Sequence, residues 1–141
     1  MKIVVVCGGT SPEREVSLDS GAAVAKALEE AGQSVILEDV KEPREFVSKW
    51  DSFGADGVFI ALHGGWGENG KFQTCLEAFG IPYTGSGPEA SMMGMNKSIS
   101  RYMFAAAGVP VPEGYTKLVG SAIDDRERKM LKKYGGLIVK P

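Results

Sequence analysis

Three short apolar runs alternate along the chain with stretches in which apolar residues recur every three or four positions. Residues 3–7, Ile-Val-Val-Val-Cys, form a continuous β-branched run of the kind buried on both faces of a parallel sheet, and Gly8-Gly9 ends it. Over 16–31 the apolar positions Val16, Ala23, Val24, Ala27, Leu28 and Ala31 follow the helical period, with Gly32 as the stop. A second strand is expected at 35–37, a short helix at 45–50, a third strand at 57–62 ending at His63, and a helix near 71–79. Strands interleaved with helices at this spacing imply right-handed crossovers and an open parallel sheet with flanking helices. Ligands of such sheets sit at the carboxyl ends of the strands, where both Gly8-Gly9 and His63 fall.

The pattern changes around 82–88, where Tyr-Thr-Gly-Ser-Gly stands between two prolines. That turn-rich stretch marks a candidate boundary, so the chain is expected to divide into an α/β domain at 1–91 and the opening of a second α/β domain at 92–141. In the second part, Asn96 can cap a helix running to Ala107, and another helix is expected over 121–134 with a solvated charge face. Leu137-Ile138-Val139 reads as a final strand, and its position beside the last residue suggests an interrupted domain.

Composition adds exclusions. Of 141 residues, 43% are hydrophobic and 24% charged, and the net charge is -2. That balance lacks the basic excess a nucleic-acid or anionic-membrane partner needs. No apolar run is long enough for a secretory leader or a membrane span, so a cytoplasmic protein is expected. Cys7 and Cys75 are far apart and outside any CxxC or CxxH spacing, which reads as two reduced thiols and no metal site.

The chemistry gathers at the glycine-rich turns. Residues 8–15, GGTSPERE, follow a strand and open a helix as a dinucleotide fingerprint would, but Glu13 stands where that fingerprint has its third glycine. A carboxylate there repels a pyrophosphate and suits an ammonium group, while the helix N-terminus stabilises the carboxylate itself. The same residues also match a capping box, Thr10-x-x-Glu13, in which the glutamate only bonds the cap residue's N–H. Residues 63–70, HGGWGENG, place the single histidine beside four glycines that let backbone approach a ligand, with Glu68 able to orient the imidazole. A glycine-rich connection with a histidine satisfied by backbone is the plainer alternative, and Trp66 reads equally as a lid or as surface packing. Lys97 lies in the first turn of its helix, where a cation opposes the macrodipole unless an anion lies between them. Lys140, on an otherwise apolar segment, must point its ammonium at something, or else guards a strand edge with its charge.

Taken together, the segments GGTSPEREVSLDSG at 8–21, HGGWGENG at 63–70, PYTGSG at 82–87, MNK at 95–97 and IVKP at 138–141 give the chain a close resemblance, over essentially its full length, to the N-terminal part of bacterial D-alanine:D-alanine ligases. The resemblance implies an ATP-grasp enzyme whose first portion is a Rossmann-like pre-ATP-grasp domain, here followed by the start of the ATP-grasp domain. In that family ATP phosphorylates the carboxylate of one D-alanine, and the amine of a second attacks the acyl phosphate to give the dipeptide used in peptidoglycan. Carried onto this sequence, Glu13 holds the ammonium of the first D-alanine, His63 fixes its carboxylate end with Glu68 in support, and Lys97 and Lys140 contact ATP phosphates. The ligands of Mg2+, the phosphate-clamping loop and the remaining active-centre residues belong after Pro141 in the family, so this chain alone is expected to be inactive. The family implies a homodimer for the parent. Phe72 and Thr74 depart from the residues usual after the glycine-rich loop, and are expected to affect packing behind it. A D-alanine:D-lactate ligase, or another ATP-grasp ligase of a carboxylate and an amine, remains an alternative. So does a non-catalytic interaction module that keeps the fold.

Overall fold

The computed structural model describes residues 1–140 and separates into two compact units, Met1–Val111 and Pro112–Pro141. The first unit holds a three-stranded parallel sheet of β1 (Lys2–Gly8), β2 (Ser34–Val40) and β3 (Gly57–Ile60), in the order β2-β1-β3. β1 is central, with Val5 paired to Leu37 on one side and to Phe59 on the other. α1 (Arg14–Glu30) connects β1 to β2, and α2 (Pro43–Phe53) connects β2 to β3. Each strand is therefore joined to the next in sequence by a helical crossover, as parallel strands require.

Alternation along β1 explains the layers. Val4 and Val6 face a core with Phe46 of α2, Val58, Leu62, Ile81, and Phe72 and Leu76 of α4 (Lys71–Ala78). Val5 and Cys7 face the other way, against Ala25, Leu18, Val24 and Leu28 of α1. Both faces of the sheet are covered, which is why β1 reads as an unbroken apolar run. α1 comes especially close: a Cβ on Gly21 would sit 2.5 Å from Cys7 Cβ and 3.0 Å from its Sγ. Burial pushes the Cys7 thiol above its ordinary value, with Asp39 adding to the shift.

β3 stops at Ile60, two residues short of the expected end, although Ala61 N–H still donates to Val6 O at 2.9 Å. On its outer side Tyr83 makes an isolated parallel bridge to Val58, so the 82–88 turn stretch extends the sheet before leaving it. Two helices were not anticipated. α3 (Gly65–Glu68) is a single turn inside the glycine-rich loop, and α5 (Pro88–Met95) starts on the proline that ends the turn stretch. α5 spans the boundary expected after residue 91, and the first compact unit continues beyond it through α6 (Lys97–Ala106). Asn96 caps α6 as expected, its side-chain oxygen accepting from Ser98 N and Ile99 N at 3.1 Å each.

In the second unit, α7 (Asp125–Tyr134) begins four residues later than the apolar pattern indicated. Asp124 and Glu127 fix that start: Asp124 accepts from Arg126 N at 2.8 Å and the Glu127 carboxylate accepts from Asp124 N at 2.8 Å. Lys117 donates to Glu127 and Asp124 and holds the Glu127 carboxyl far below the usual carboxylate range. The strand expected at 137–139 is not formed. Ile138 and Val139 are 86% and 93% exposed and have no ladder partner among the described residues, and without one an apolar segment is not a strand. Pro141 lies outside the described residues.

Candidate functional site

Two loops meet at the carboxyl ends of β1 and β3. The first, residues 9–13, leads from β1 into α1; the second, residues 61–64, leads from β3 into α3. A fully buried serine joins their roots. Ser17 Oγ accepts from Gly8 N–H at 2.9 Å and donates to Ala61 O at 2.7 Å, so α1 is hydrogen-bonded to the end of each strand. Further out, Ser11 Oγ donates to His63 O at 2.6 Å, and Trp66 Nε1 donates to Thr10 Oγ1 at 3.2 Å. Trp66 also packs edge-on against Phe72, with ring centroids 5.4 Å apart. Phe72 is buried between Trp66 and Phe46, whereas Thr74 is exposed and its Oγ1 donates to Gly70 O, at the end of the loop, at 2.8 Å.

Glu13 is the N-cap residue of α1 but makes no side-chain cap bond. The capping box read from Thr10-x-x-Glu13 is therefore not formed: Thr10 is engaged with Trp66, and the Glu13 N–H is taken by Ser11 Oγ at 3.1 Å. Instead the carboxylate lies against the second loop. A Cβ on Gly64 would stand 2.5 Å from Glu13 Oε2, and Gly64 has φ +68, so glycine is required there for both space and backbone conformation. Arg14, the neighbouring cation, is not available to neutralise Glu13. Its guanidinium makes a two-pronged pair with Asp39 at 2.8 and 2.6 Å and also donates to Gly9 O. Arg14 in turn holds the Asp39 carboxyl below its ordinary value. Glu13 has no salt-bridge partner among the described residues.

His63 directly precedes Gly64. Its Nε2 lies 3.0 Å from Ser20 Oγ, and its Nδ1 faces Glu68 Oε1 at 4.0 Å, beyond hydrogen-bond reach. The Glu13 carboxylate thus lies beside Gly64, the chain neighbour of His63, and the His63 ring faces Glu68. Among the described residues Lys97 makes no bond to this group. Lys97 is the first residue of α6 and is exposed, with no ion-pair partner among the described residues. The Asn96 cap already satisfies the Ser98 and Ile99 N–H groups, so an anion at this helix end would rely on the Lys97 ammonium more than on free backbone donors. Lys140 is exposed in the second unit. Among the described residues no three His, Cys, Asp or Glu side chains converge as a metal site, and no helix is long and apolar enough to cross a membrane.

Ser11, Ser17 and Ser20 were missed by the sequence reading, although their spacing held a signal. Ser17 and Ser20 lie three apart on one face of a helix, and each bonds to another element.

Residues 49–86 match the family model described as D-ala D-ala ligase N-terminus. The chain is 50% identical over 114 residues to the D-alanine–D-alanine ligase of Paramagnetospirillum magneticum, covering 80% of this chain and 37% of that protein. It is 45% identical over 125 residues to that of Geobacter sulfurreducens, covering 87% and 38%. Among solved structures, the D-alanine–D-alanine ligase of Bacillus anthracis complexed with ATP aligns with a TM-score of 0.81 at 30% identity, over 93% of this chain and 44% of that one. The Coxiella burnetii ligase aligns with a TM-score of 0.73 at 26% identity, over 96% and 50%. The chain spans somewhat over a third of the length of the curated relatives it matches.

Proposed function

Since the chain corresponds in sequence and fold to the N-terminal region of D-alanine–D-alanine ligases, we propose that it forms the donor-substrate side of such a ligase, binding the first D-alanine between the loop after β1 and the loop after β3. Residues 1–91 carry this site, and 92–141 begin the nucleotide-binding domain. Glu13 pairs with the substrate ammonium, and His63 serves the carboxylate end with Glu68 in support. The observation that carries this reading is the state of Glu13: a carboxylate at a helix N-terminus that neither caps the helix nor meets a cation among the described residues, held against Gly64, the residue after His63. An ammonium group supplies what that position lacks, a charge-assisted donor.

ATP, when bound, supplies the phosphoryl group that activates the substrate carboxylate. Lys97 and Lys140 are the residues of this chain that would hold its phosphates, and the parent acts in the cytoplasm as a homodimer. Mg2+ is assigned no residue here, and this region alone does not complete the reaction. Phosphoryl transfer depends on cations positioned around the transferred group, and two lysines without metal ligands do not provide that.

The test is an NMR titration of the 15N-labelled chain with D-alanine and with propionate, which has the carboxylate but no ammonium. D-alanine should shift the amides of Glu13, His63 and Gly64 at lower concentration than propionate, and Glu13→Gln should erase the difference while leaving the remaining spectrum in place. Equal response to the two ligands in the wild-type chain would show that Glu13 does not bind an ammonium.

A further inference from the structure

We propose that Gln73, on α4 and outside both loops, is a positioning residue: its side-chain amide caps α3 and so holds the loop after β3 in the form in which it meets the loop after β1. α3 is a single turn, and the last carbonyls of such a turn need partners from elsewhere. Gly64 O and Gly65 O accept from Gly67 N–H and Asn69 N–H at 3.2 Å each. Gly67 O would next accept from Lys71 N–H, four residues on, but that group donates to Asn69 Oδ1 at 3.2 Å. Gln73 supplies the donor instead, its Nε2 meeting Gly67 O at 2.8 Å in a buried setting. Gly67 is pinned a second time, since a Cβ there would stand 2.5 Å from Leu62 Cβ, so the backbone of α3 lies directly on a core residue.

The other end of the same amide separates this role from packing. Gly67 O can only accept, so the amide must turn Nε2 towards it and Oε1 away. Gln73 is 6% exposed, and its Oε1 accepts from no described group. A methionine of similar shape would fill this position without burying an unpaired acceptor. The amide therefore contributes through its bond to α3 and little through the packing of α4.

α3 carries Trp66, whose indole donates to Thr10 in the first loop, and Glu68, which faces His63. A turn of this composition has low helix propensity, so loss of its cap loosens both side chains. The bearing on D-alanine rests on the reading of Glu13 and His63 given under the proposed function. Gln73 touches no substrate in that reading and acts through α3.

Gln33 and Gln73 are the only glutamines, so the side-chain amide is readily assigned. In the 15N,13C-labelled chain without ligand, a scalar coupling across the hydrogen bond should connect Gln73 Nε2 to the Gly67 carbonyl carbon. Gln73→Met should speed hydrogen exchange of the Gly67 and Asn69 amides and of the Trp66 indole about fivefold, the weight of one ordinary hydrogen bond. The amides of Val4, Val5 and Val6 and the urea midpoint should keep their wild-type values, whereas loss of a merely structural contact would move all of them together. Gln73→Leu, which also lacks the donor, takes its place should Gln73→Met not fold. A missing coupling, loop probes that stay at wild-type rates, or loop probes that move only in step with β1 would overturn the proposal. In a D-alanine titration the folded variant should need about fivefold more ligand for the same response at His63, and an unchanged titration beside loosened loop probes overturns the positioning role. No response in either chain counts against the reading of Glu13 and leaves the ligand-free measurements to decide the role of Gln73.

Discussion

Removing one hydroxyl, that of Ser17, should cost the chain more stability than its size implies. Ser17 is fully buried, and its Oγ serves two backbone groups at once: it accepts from Gly8 N–H at 2.9 Å and donates to Ala61 O at 2.7 Å. Alanine at this position fits the helix and leaves almost no cavity, so lost packing contributes little. The stranded backbone groups contribute most, because each buried partner left unsatisfied costs about 1–3 kcal/mol. Allowing for relaxation, Ser17→Ala should destabilise the chain by about 2–4 kcal/mol. With a urea slope of about 2 kcal/mol per molar, the unfolding midpoint should fall by about 1–2 M. Ser48→Ala is the control: the Ser48 hydroxyl is exposed and donates only to Glu45 O within its own helix. Equilibrium urea unfolding followed by circular dichroism reads both variants. A Ser17→Ala loss below about 0.5 kcal/mol, the range of ordinary surface substitutions, would refute the argument that this hydroxyl holds the ends of β1 and β3 together.

Two further substitutions probe other parts of the frame. Tyr83 is pushed up to about 12 by burial, with its hydrogen bond to Glu77 adding to the shift. The folded pKa is raised, so the stability it contributes is complete below the ordinary value of 10.0 and is lost as pH rises through about 12. The difference in stability between wild type and Tyr83→Phe, measured by denaturant unfolding across that range, should therefore shrink with rising pH, and a difference independent of pH would contradict it. Gly21→Ala should lose about 1–2 kcal/mol in thermal unfolding despite alanine's better helix propensity, because its Cβ would stand 2.5 Å from Cys7 Cβ; a more stable variant would show that α1 does not approach β1 so closely.

The elements legible in the sequence were those whose signal is a buried face. β1, α1 and β3 announced themselves because Val4 to Cys7 are covered on both sides and α1 has its apolar residues at helical spacing. The failures have a common cause in local chemistry. α3 is one turn made of Gly65, Trp66, Gly67 and Glu68, a composition with low helix propensity that only its packing between the two loops sustains. The segment at 137–139 has strand propensity without a ladder partner among the described residues, and propensity alone gives no ladder. At α7 the apolar pattern placed the start too early, whereas the Asp124 and Glu127 pair, visible as a spacing of three, fixes it.

The same spacing of an oxygen-bearing residue and a glutamate three apart occurs at Thr10 and Glu13, and there it means something else. A capping pair needs its first residue at the N-cap, where the side chain can reach the free N–H groups of the first turn. At α7 Asp124 occupies that position; at α1 it is Glu13 itself, so Thr10 lies three residues too far out. The displacement follows from how the loop is tied. Ser11 is bound to His63 O and Thr10 to Trp66, so residues 10 and 11 belong to the contact between the two loops and the helix can begin only after Pro12. That contact leaves Glu13 with a carboxylate unspent on capping, and the bidentate Arg14–Asp39 pair removes the nearest cation. A sequence pattern that spells a cap in isolation becomes a candidate ammonium site once tertiary hydrogen bonds have moved the helix start by three residues.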